Sequence, residues 1–188
     1  MTNNKIIPNP SKIIVLAIIF YLIIFSFLSI WKFINFGYDG MDLAIISQVF
    51  YNSAQGNFFE LSIHPPTYLG DHFTPILFFI LPIFWLFQSP ITLLLAQTLF
   101  LALSAWPLYL IAKKIIPSPW PVIISIVWLL NPFVQNINIF EFHFLPLAIF
   151  FIFWAFYFYQ NKKFIPFVVA LIFSLLVRED VSLVVLMF

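Results

Sequence analysis

The sequence predicts an all-α membrane protein, a polytopic bundle of helices, and three observations carry that prediction. Of its 188 residues 63% are hydrophobic and only 8% charged, with a mean hydropathy of +1.07, against about 25% charge in a soluble domain. The apolar residues gather in unbroken runs, several close to the roughly 17 to 25 residues that cross a hydrocarbon core of about 30 Å. The few basic residues are distributed unevenly among the segments that separate those runs. Eight basic and seven acidic residues give a net charge of +1, which leaves no basic patch for nucleic acid. The high hydropathy excludes a disordered tail. There is no cysteine, so disulfides, cysteine zinc sites and thiol nucleophiles are excluded as well.

The first run, residues 13–31, has 19 residues without a charge and follows Lys5 and Lys12. It reads as an uncleaved first transmembrane helix. A signal-peptide core has about 7 to 15 residues and ends at a small-residue cleavage site, which Ser29-Ile30-Trp31 does not supply. The 13 residues of Pro75 to Phe87 are interrupted by Pro82 and fall short of the roughly 17 needed to span, so they are expected to lie in the interface or re-enter. Runs 91–112, 120–134, 144–159 and 164–177 follow as full or nearly full spans. The last run, 181–188, stops without a flank, and residues 1–188 therefore read as a single transmembrane domain at the N-terminal side of a longer chain. Pro82, Pro107 and Pro146 stand without neighbouring glycines and read as kinks, not as the paired breaks of a transporter midplane site. Trp31 and Trp120 lie at run ends, as an aromatic belt predicts.

Charge decides whether 75–87 crosses. If it does not, Lys5, Lys12, Lys113, Lys114, Lys162 and Lys163 share one side, and only Lys32 and Arg178 lie opposite. Basic residues concentrate on the cytoplasmic face, so this arrangement is preferred, in the cytoplasmic membrane with the N-terminus on the cytoplasmic side and an outer loop over 32–90. Acidic residues contribute little to orientation. Even so, all seven acids, Asp39, Asp42, Glu60, Asp71, Glu141, Glu179 and Asp180, then fall on the outer side, with His64, His72 and His143.

Residues 32–74 form the only long polar stretch, too long for a plain connector. Stepping 100° per residue from Asp42 places Leu43, Ile45, Ile46, Val49, Phe50 and Ala54 on one half of a wheel. Ser47, Gln48, Tyr51, Asn52 and Gln55 fall on the other. That is an amphipathic helix, expected to lie flat on the membrane surface. Asp42 opens it, where a carboxylate can cap free amides. Asp39 lies three residues upstream across Gly40, so two carboxylates mark the same point of the outer rim. Gly70-Asp71-His72-Phe73 forms a second polar group in this loop. Glu141 and His143, two residues apart, would share a face only in extended backbone, because on a helix they diverge by about 200°. Arg178-Glu179-Asp180 is either a solvated helix end or a site, since ionisable residues at the membrane boundary are functional candidates when they face the bundle interior.

There is no HExxH, no Gly-x-Ser-x-Gly and no GxxxxGK[ST] in the chain, which disfavours zinc protease, serine hydrolase and P-loop ATPase chemistry. The segments Asp42-Leu43-Ala44-Ile45-Ile46-Ser47-Gln48-Val49-Phe50-Tyr51-Asn52, Tyr68-Leu69-Gly70-Asp71-His72-Phe73-Thr74-Pro75, Phe140-Glu141-Phe142-His143 and Val177-Arg178-Glu179-Asp180 carry a resemblance over nearly all of the chain. It resembles an uncharacterised family of predicted multi-pass membrane proteins of bacteria and archaea. That family is similar in turn to the GT-C class of membrane glycosyltransferases, which includes protein mannosyltransferases and the lipid A aminoarabinose transferase.

The resemblance implies a GT-C-like fold with an N-in first helix. It also implies a long first outer loop carrying surface helices, an Asp near the start of the first of them, and a second acidic turn after the third span. Asp42 and Glu141 match those positions, with Asp39 left as an alternative to Asp42. The chain departs from the class at Ser47, where the class carries an acid, and at Glu141, where it carries Asp. The implied activity is transfer of a sugar from a polyprenyl-phosphate donor on the outer face of the cytoplasmic membrane. Such a reaction needs a carboxylate to take the acceptor's proton and a cation for the leaving phosphate. Asp42 is the candidate base, with Glu141 and Asp39 as further catalytic candidates. Arg178, His72, His143 and Lys32 are the candidates for binding substrate and phosphate, and Asp71, His72, Glu179 and Asp180 for holding a divalent metal ion. Membrane lipids and the lipid-linked sugar are the expected partners, and no nucleic acid. The competing readings are a transporter, flippase, lipid-binding or scaffold component on the same fold, since fold alone does not decide function.

Overall fold

The computed structural model describes residues 9–63 and 67–187; Lys5, His64 and Phe188 lie outside the described residues. Helices α1 (Pro10–Ile34), α2 (Asp42–Ala54), α3 (Leu77–Leu86), α4 (Pro90–Leu103) and α5 (Ala105–Ile115) make up the first part of the chain. They are followed by α6 (Trp120–Leu130), α7 (Pro132–Phe140), α8 (Leu145–Gln160), α9 (Phe164–Leu175) and the short α10 (Val181–Val185). A single 3-10 turn covers Tyr68–Gly70, and there is no strand among the described residues.

The helices follow the apolar runs because each run can satisfy its backbone internally without water. On α1 the buried side chains are Ile14, Ile18, Tyr21, Phe25 and Ser29, a stripe at helical spacing. The opposite face leaves Leu16, Phe20, Ile23 and Phe27 each about two-thirds exposed. A soluble protein does not present such a continuous apolar face, whereas lipid solvates it.

Two composite helices have readable causes. Pro107 removes the amide that would bond the Leu103 carbonyl, and the axis breaks at Ser104 between α4 and α5. The Ser104 hydroxyl donates to the Phe100 carbonyl at 2.7 Å. Between α6 and α7, Asn131 caps the second helix by accepting the Phe133 amide at 2.9 Å, and Gln135 donates to the Leu129 carbonyl at 3.1 Å. Residues 131–134, expected as the end of a span and an outer turn, therefore form a bend inside a continuous 21-residue stretch, Trp120–Phe140. With Pro10–Ile34 and Pro90–Ile115 it is one of three helices among the described residues that are long and apolar enough to cross a membrane. α8 and α9 cover two further predicted runs but have 16 and 12 residues, about 24 and 18 Å at 1.5 Å per residue.

α2 corrects one expectation. Its apolar face is not turned to the bilayer surface: Leu43, Ile46, Val49 and Phe50 are all at most 4% exposed and pack with α3 residues Leu77, Ile80 and Phe84 and α4 residues Leu93 and Leu94. Burial within the protein removes that area from water as effectively as lipid would. α3 in turn leaves Phe79, Ile83, Trp85 and Leu86 more than half exposed on its other side.

Three helix ends close in the same way, each with a left-handed residue after the cap and paired amides returning to the last turn. Gly56 takes that position after α2, where glycine carries no steric penalty. After α1 and α8 it is held by Phe36 and Lys162, with φ of 53° and 54°.

The two ends of the bundle differ in polarity. At one end the Lys114 ammonium bonds the Asn161 side chain, and Lys113 shares a cavity with Asn9. At the other, Ile76 donates its amide to Leu176 at 2.8 Å and Lys32 reaches the end of α7. All seven acids belong to segments gathered at this second end.

Candidate functional site

The site is built where the first loop meets the two later acidic turns. After α7 the backbone turns extended at Glu141, with φ −149° and ψ 174°, so Glu141 and His143 do project the same way, toward the start of α2. Glu141 is 2% exposed. One of its carboxylate oxygens accepts the Gly40 amide at 2.9 Å and the other the Leu43 amide at 2.7 Å. The Leu43 amide is among the free donors that every helix start leaves, the Gly40 amide lies just ahead of the helix, and a negative charge there also meets the positive end of the helix dipole. Gly40, at φ 79°, supplies the left-handed conformation the approach requires.

Because Glu141 performs the capping, Asp42 does not. No side chain within the loop caps α2, and the Asp42 carboxylate instead meets the His143 Nε2 at 3.2 Å. Both remain accessible, with side chains 49% and 34% exposed. The His143 ring stacks on Phe140, with centroids 5.7 Å apart, and its Nδ1 faces the Glu141 carbonyl at 3.3 Å.

Gln97 on α4 fixes this stretch, and sequence reasoning missed it. It is fully buried. Its amide nitrogen donates to the Ile137 and Glu141 carbonyls, both at 3.0 Å, and its oxygen accepts the His143 amide at 2.8 Å. The available signal was a lone Gln-Thr pair inside an otherwise apolar run.

A second glutamate repeats the clamp. Glu179 accepts the Phe73 amide at 2.8 Å through one oxygen and bonds the His72 Nδ1 at 2.8 Å through the other. Desolvation works to raise the Glu179 carboxyl, yet the His72 hydrogen bond, the backbone amides of Glu179 and Phe73, and the His72 charge together hold it below the ordinary glutamate range.

Between these clamps lies a polar cavity of about 200 Å³, lined by Asp42, Ile45, Ile46, Tyr68, Asp71, His72, His143, Phe144 and Arg178. Burial pushes the Tyr68 hydroxyl up to about 12, with Asp71, Asp42 and Glu179 adding to the shift and Arg178 opposing it. Near neutral pH Tyr68 is therefore a protonated donor. Next to this cavity runs an apolar groove of about 670 Å³ between α7, α8 and α10, with Ile137, Phe140, Pro146, Ile149, Ile152 and Val184 among its walls. His143 and Arg178 line both spaces. Arg178 pairs with Asp180, and its Nε is buried without a partner.

The family described as "Predicted membrane protein (DUF2079)" matches residues 30–188, which contain every one of these side chains. The chain belongs to that family. No curated protein and no solved structure matches it.

This DUF2079 member sorts its expected site residues into two groups. Asp42, Asp71, His72, His143 and Arg178 converge on the polar cavity. Glu141, Lys32, Asp39 and Asp180 do not. Both oxygens of Glu141 are spent on amides. Lys32 donates to the Ile139 and Phe140 carbonyls at 3.0 and 3.4 Å and lies over the Tyr38 ring at 4.4 Å, so it holds the end of α7, outside the cavity lining. Asp39 is exposed and outside the cavity, and Asp180 is engaged by Arg178. Of the expected metal set Asp71, His72, Glu179 and Asp180, His72 and Glu179 pair with each other and Asp180 pairs with Arg178. Among the described residues no three His, Cys, Asp or Glu side chains are grouped to share a metal ion.

Proposed function

We propose that the chain is a GT-C-like glycosyltransferase that transfers a sugar from a polyprenyl-phosphate donor on the outer face of the cytoplasmic membrane. One observation carries the reading: an accessible Asp42–His143 pair and Arg178 line a polar cavity whose wall, through His143 and Arg178, is also the wall of a long apolar groove. The groove suits an isoprenoid chain and the cavity a sugar phosphate.

In the proposed reaction an acceptor hydroxyl attacks the anomeric carbon of the donor. The new carbon–oxygen bond forms as the bond from that carbon to the phosphate oxygen breaks. The hydroxyl proton passes to Asp42, whose orientation His143 holds, as a general base requires. The polyprenyl phosphate departs with both electrons of the broken bond, and Arg178 offsets its charge. Tyr68 donates a hydrogen bond within the cavity.

The experiment uses the purified chain and a radiolabelled polyprenyl-phosphate sugar, scored separately for transfer and for retention of the lipid. Asp42→Asn and Arg178→Ala are expected to abolish transfer while the protein still inserts in the membrane. Unchanged transfer in either variant refutes the roles assigned. Retention without turnover by the wild-type protein favours a non-catalytic lipid carrier, which the size of the groove would also serve. The outer location is tested by a reporter fused after Gln88, where a cytoplasmic signal overturns the topology.

A further inference from the structure

The lysine end of the bundle, opposite the site described above, has a cavity of about 300 Å³ lined by Asn9, Pro10, Tyr109, Lys113, Ser118 and Pro121 with their neighbours. The Lys113 ammonium lies 5.8 Å from the Tyr109 ring centroid, and Lys114 bonds Asn161, which brings the exposed Lys162 and Lys163 to the same rim. Lys12, on the first turn of α1, follows Asn9 and Pro10 there. None of these lysines takes part in an ion pair among the described residues. Asp42, Glu141, Glu179 and Asp180 are engaged at the other end, and among the described residues no carboxylate pairs with a lysine of this one.

We infer that this end binds the headgroup of an anionic phospholipid, with its phosphodiester against Lys113 and the polar groups of Asn9 and Ser118. The source of the phosphate is a lipid and not a soluble anion, because the rim is apolar and aromatic. Trp120 is 56% exposed, Ile115 65%, and Phe164 and Ile165 75% each. Acyl chains would cover those surfaces while the headgroup fills the cavity. Basic pockets between membrane helices recognise anionic headgroups on these terms. The inference is independent of any glycosyltransferase activity.

Native mass spectrometry of the purified full chain in a neutral detergent tests it, with dioleoylphosphatidylglycerol and dioleoylphosphatidylcholine as competing probes. The wild-type chain is expected to retain phosphatidylglycerol preferentially, and millimolar inorganic phosphate to leave that preference unchanged. Lys113→Gln should lower the preference about fivefold, the factor expected for one lysine at an anionic surface, and Lys113→Arg should keep it. If Lys113→Gln does not yield monodisperse protein, the exposed Lys163→Gln takes its place with a loss in the same direction. Equal retention of the two lipids by the wild type overturns the inference, as does an unchanged preference in the lysine-to-glutamine variant that is measured. Displacement of the lipid by inorganic phosphate overturns the lipid source. Loss of the preference in Arg178→Gln with no change in Lys113→Gln moves the site to the acidic end.

Discussion

Replacing Glu141 by glutamine changes one oxygen into an NH2 group and leaves the side chain's length and shape intact. In the native chain both oxygens accept amides, at 2.9 Å from Gly40 and 2.7 Å from Leu43, in a site that is 2% exposed. Glutamine can keep one of those bonds through its carbonyl oxygen, but its amino group then faces the second N–H, donor against donor. A hydrogen bond to a charged acceptor is worth about 1.5 to 3 kcal/mol. The lost negative charge at a helix start adds about 0.3 to 1 kcal/mol. Glu141→Gln is therefore expected to cost about 2 to 4 kcal/mol. For a chain of this length that corresponds to a fall in Tm of about 5 to 15 °C, read by circular dichroism during thermal unfolding of the detergent-solubilised protein. A Tm equal to that of the wild type would refute the clamp and return Glu141 to the list of free carboxylates.

Gln97→Leu removes the side chain that pairs two carbonyls and one amide of residues 137–143 and should destabilise by about 3 kcal/mol or more, measured by the same unfolding assay; a neutral effect would show that the stretch is held by other contacts. Phe36→Gly relieves a left-handed φ of 53° at a side chain that is 94% exposed, so Tm should rise by about 2 to 4 °C for a gain of about 1 kcal/mol, and a fall would mean that Phe36 makes a stabilising contact. The depressed Glu179 carboxyl means that its clamp on His72 and Phe73 contributes fully above the ordinary glutamate value and is lost as pH falls from there through the lowered native value. A carbon-13 titration of the Glu179 carboxyl should place its midpoint below 4.5, and His72→Ala should move it upward. A midpoint at or above the ordinary value would contradict the clamp.

Helix positions were legible in the sequence because an apolar run has one economical backbone solution in lipid, and α1, α3, α4 with α5, α6, α8 and α9 all follow such runs. What was not legible arises from tertiary contacts. Asn131-Pro132 has the composition of a turn, and it takes the Asn131 cap on Phe133 and the Gln135 bond to the Leu129 carbonyl to show that the chain continues as helix beyond it. The amphipathic face of α2 was visible, but its periodicity is the same whether the face meets lipid or the flank of α3. For the site, Asp42, Asp71, His72, His143 and Arg178 could be picked out from residue type and position. Gln97 could not, since the polar Gln97-Thr98 pair in its apolar run marks the place but does not tell a bracing glutamine from an incidental one.

The seven acids look alike in the sequence, and what separates them is whether the backbone has already claimed their lone pairs. Glu141, whose two oxygens each hold an amide in a site that is 2% exposed, is closed to a substrate and committed to the helix start it secures. Asp42 sits one residue from that clamp and carries no such duty, which leaves its carboxylate free to pair with His143 at the cavity edge. The clamp and the free carboxylate are therefore parts of one arrangement: Glu141 fixes the start of α2, and that position aims Asp42. The two roles are separable by experiment. Loss of the Asp42 charge should remove function with little change in Tm, because its side chain is half exposed and its one partner is about a third exposed. Loss of the Glu141 charge should lower both together, since the helix that carries Asp42 is no longer held.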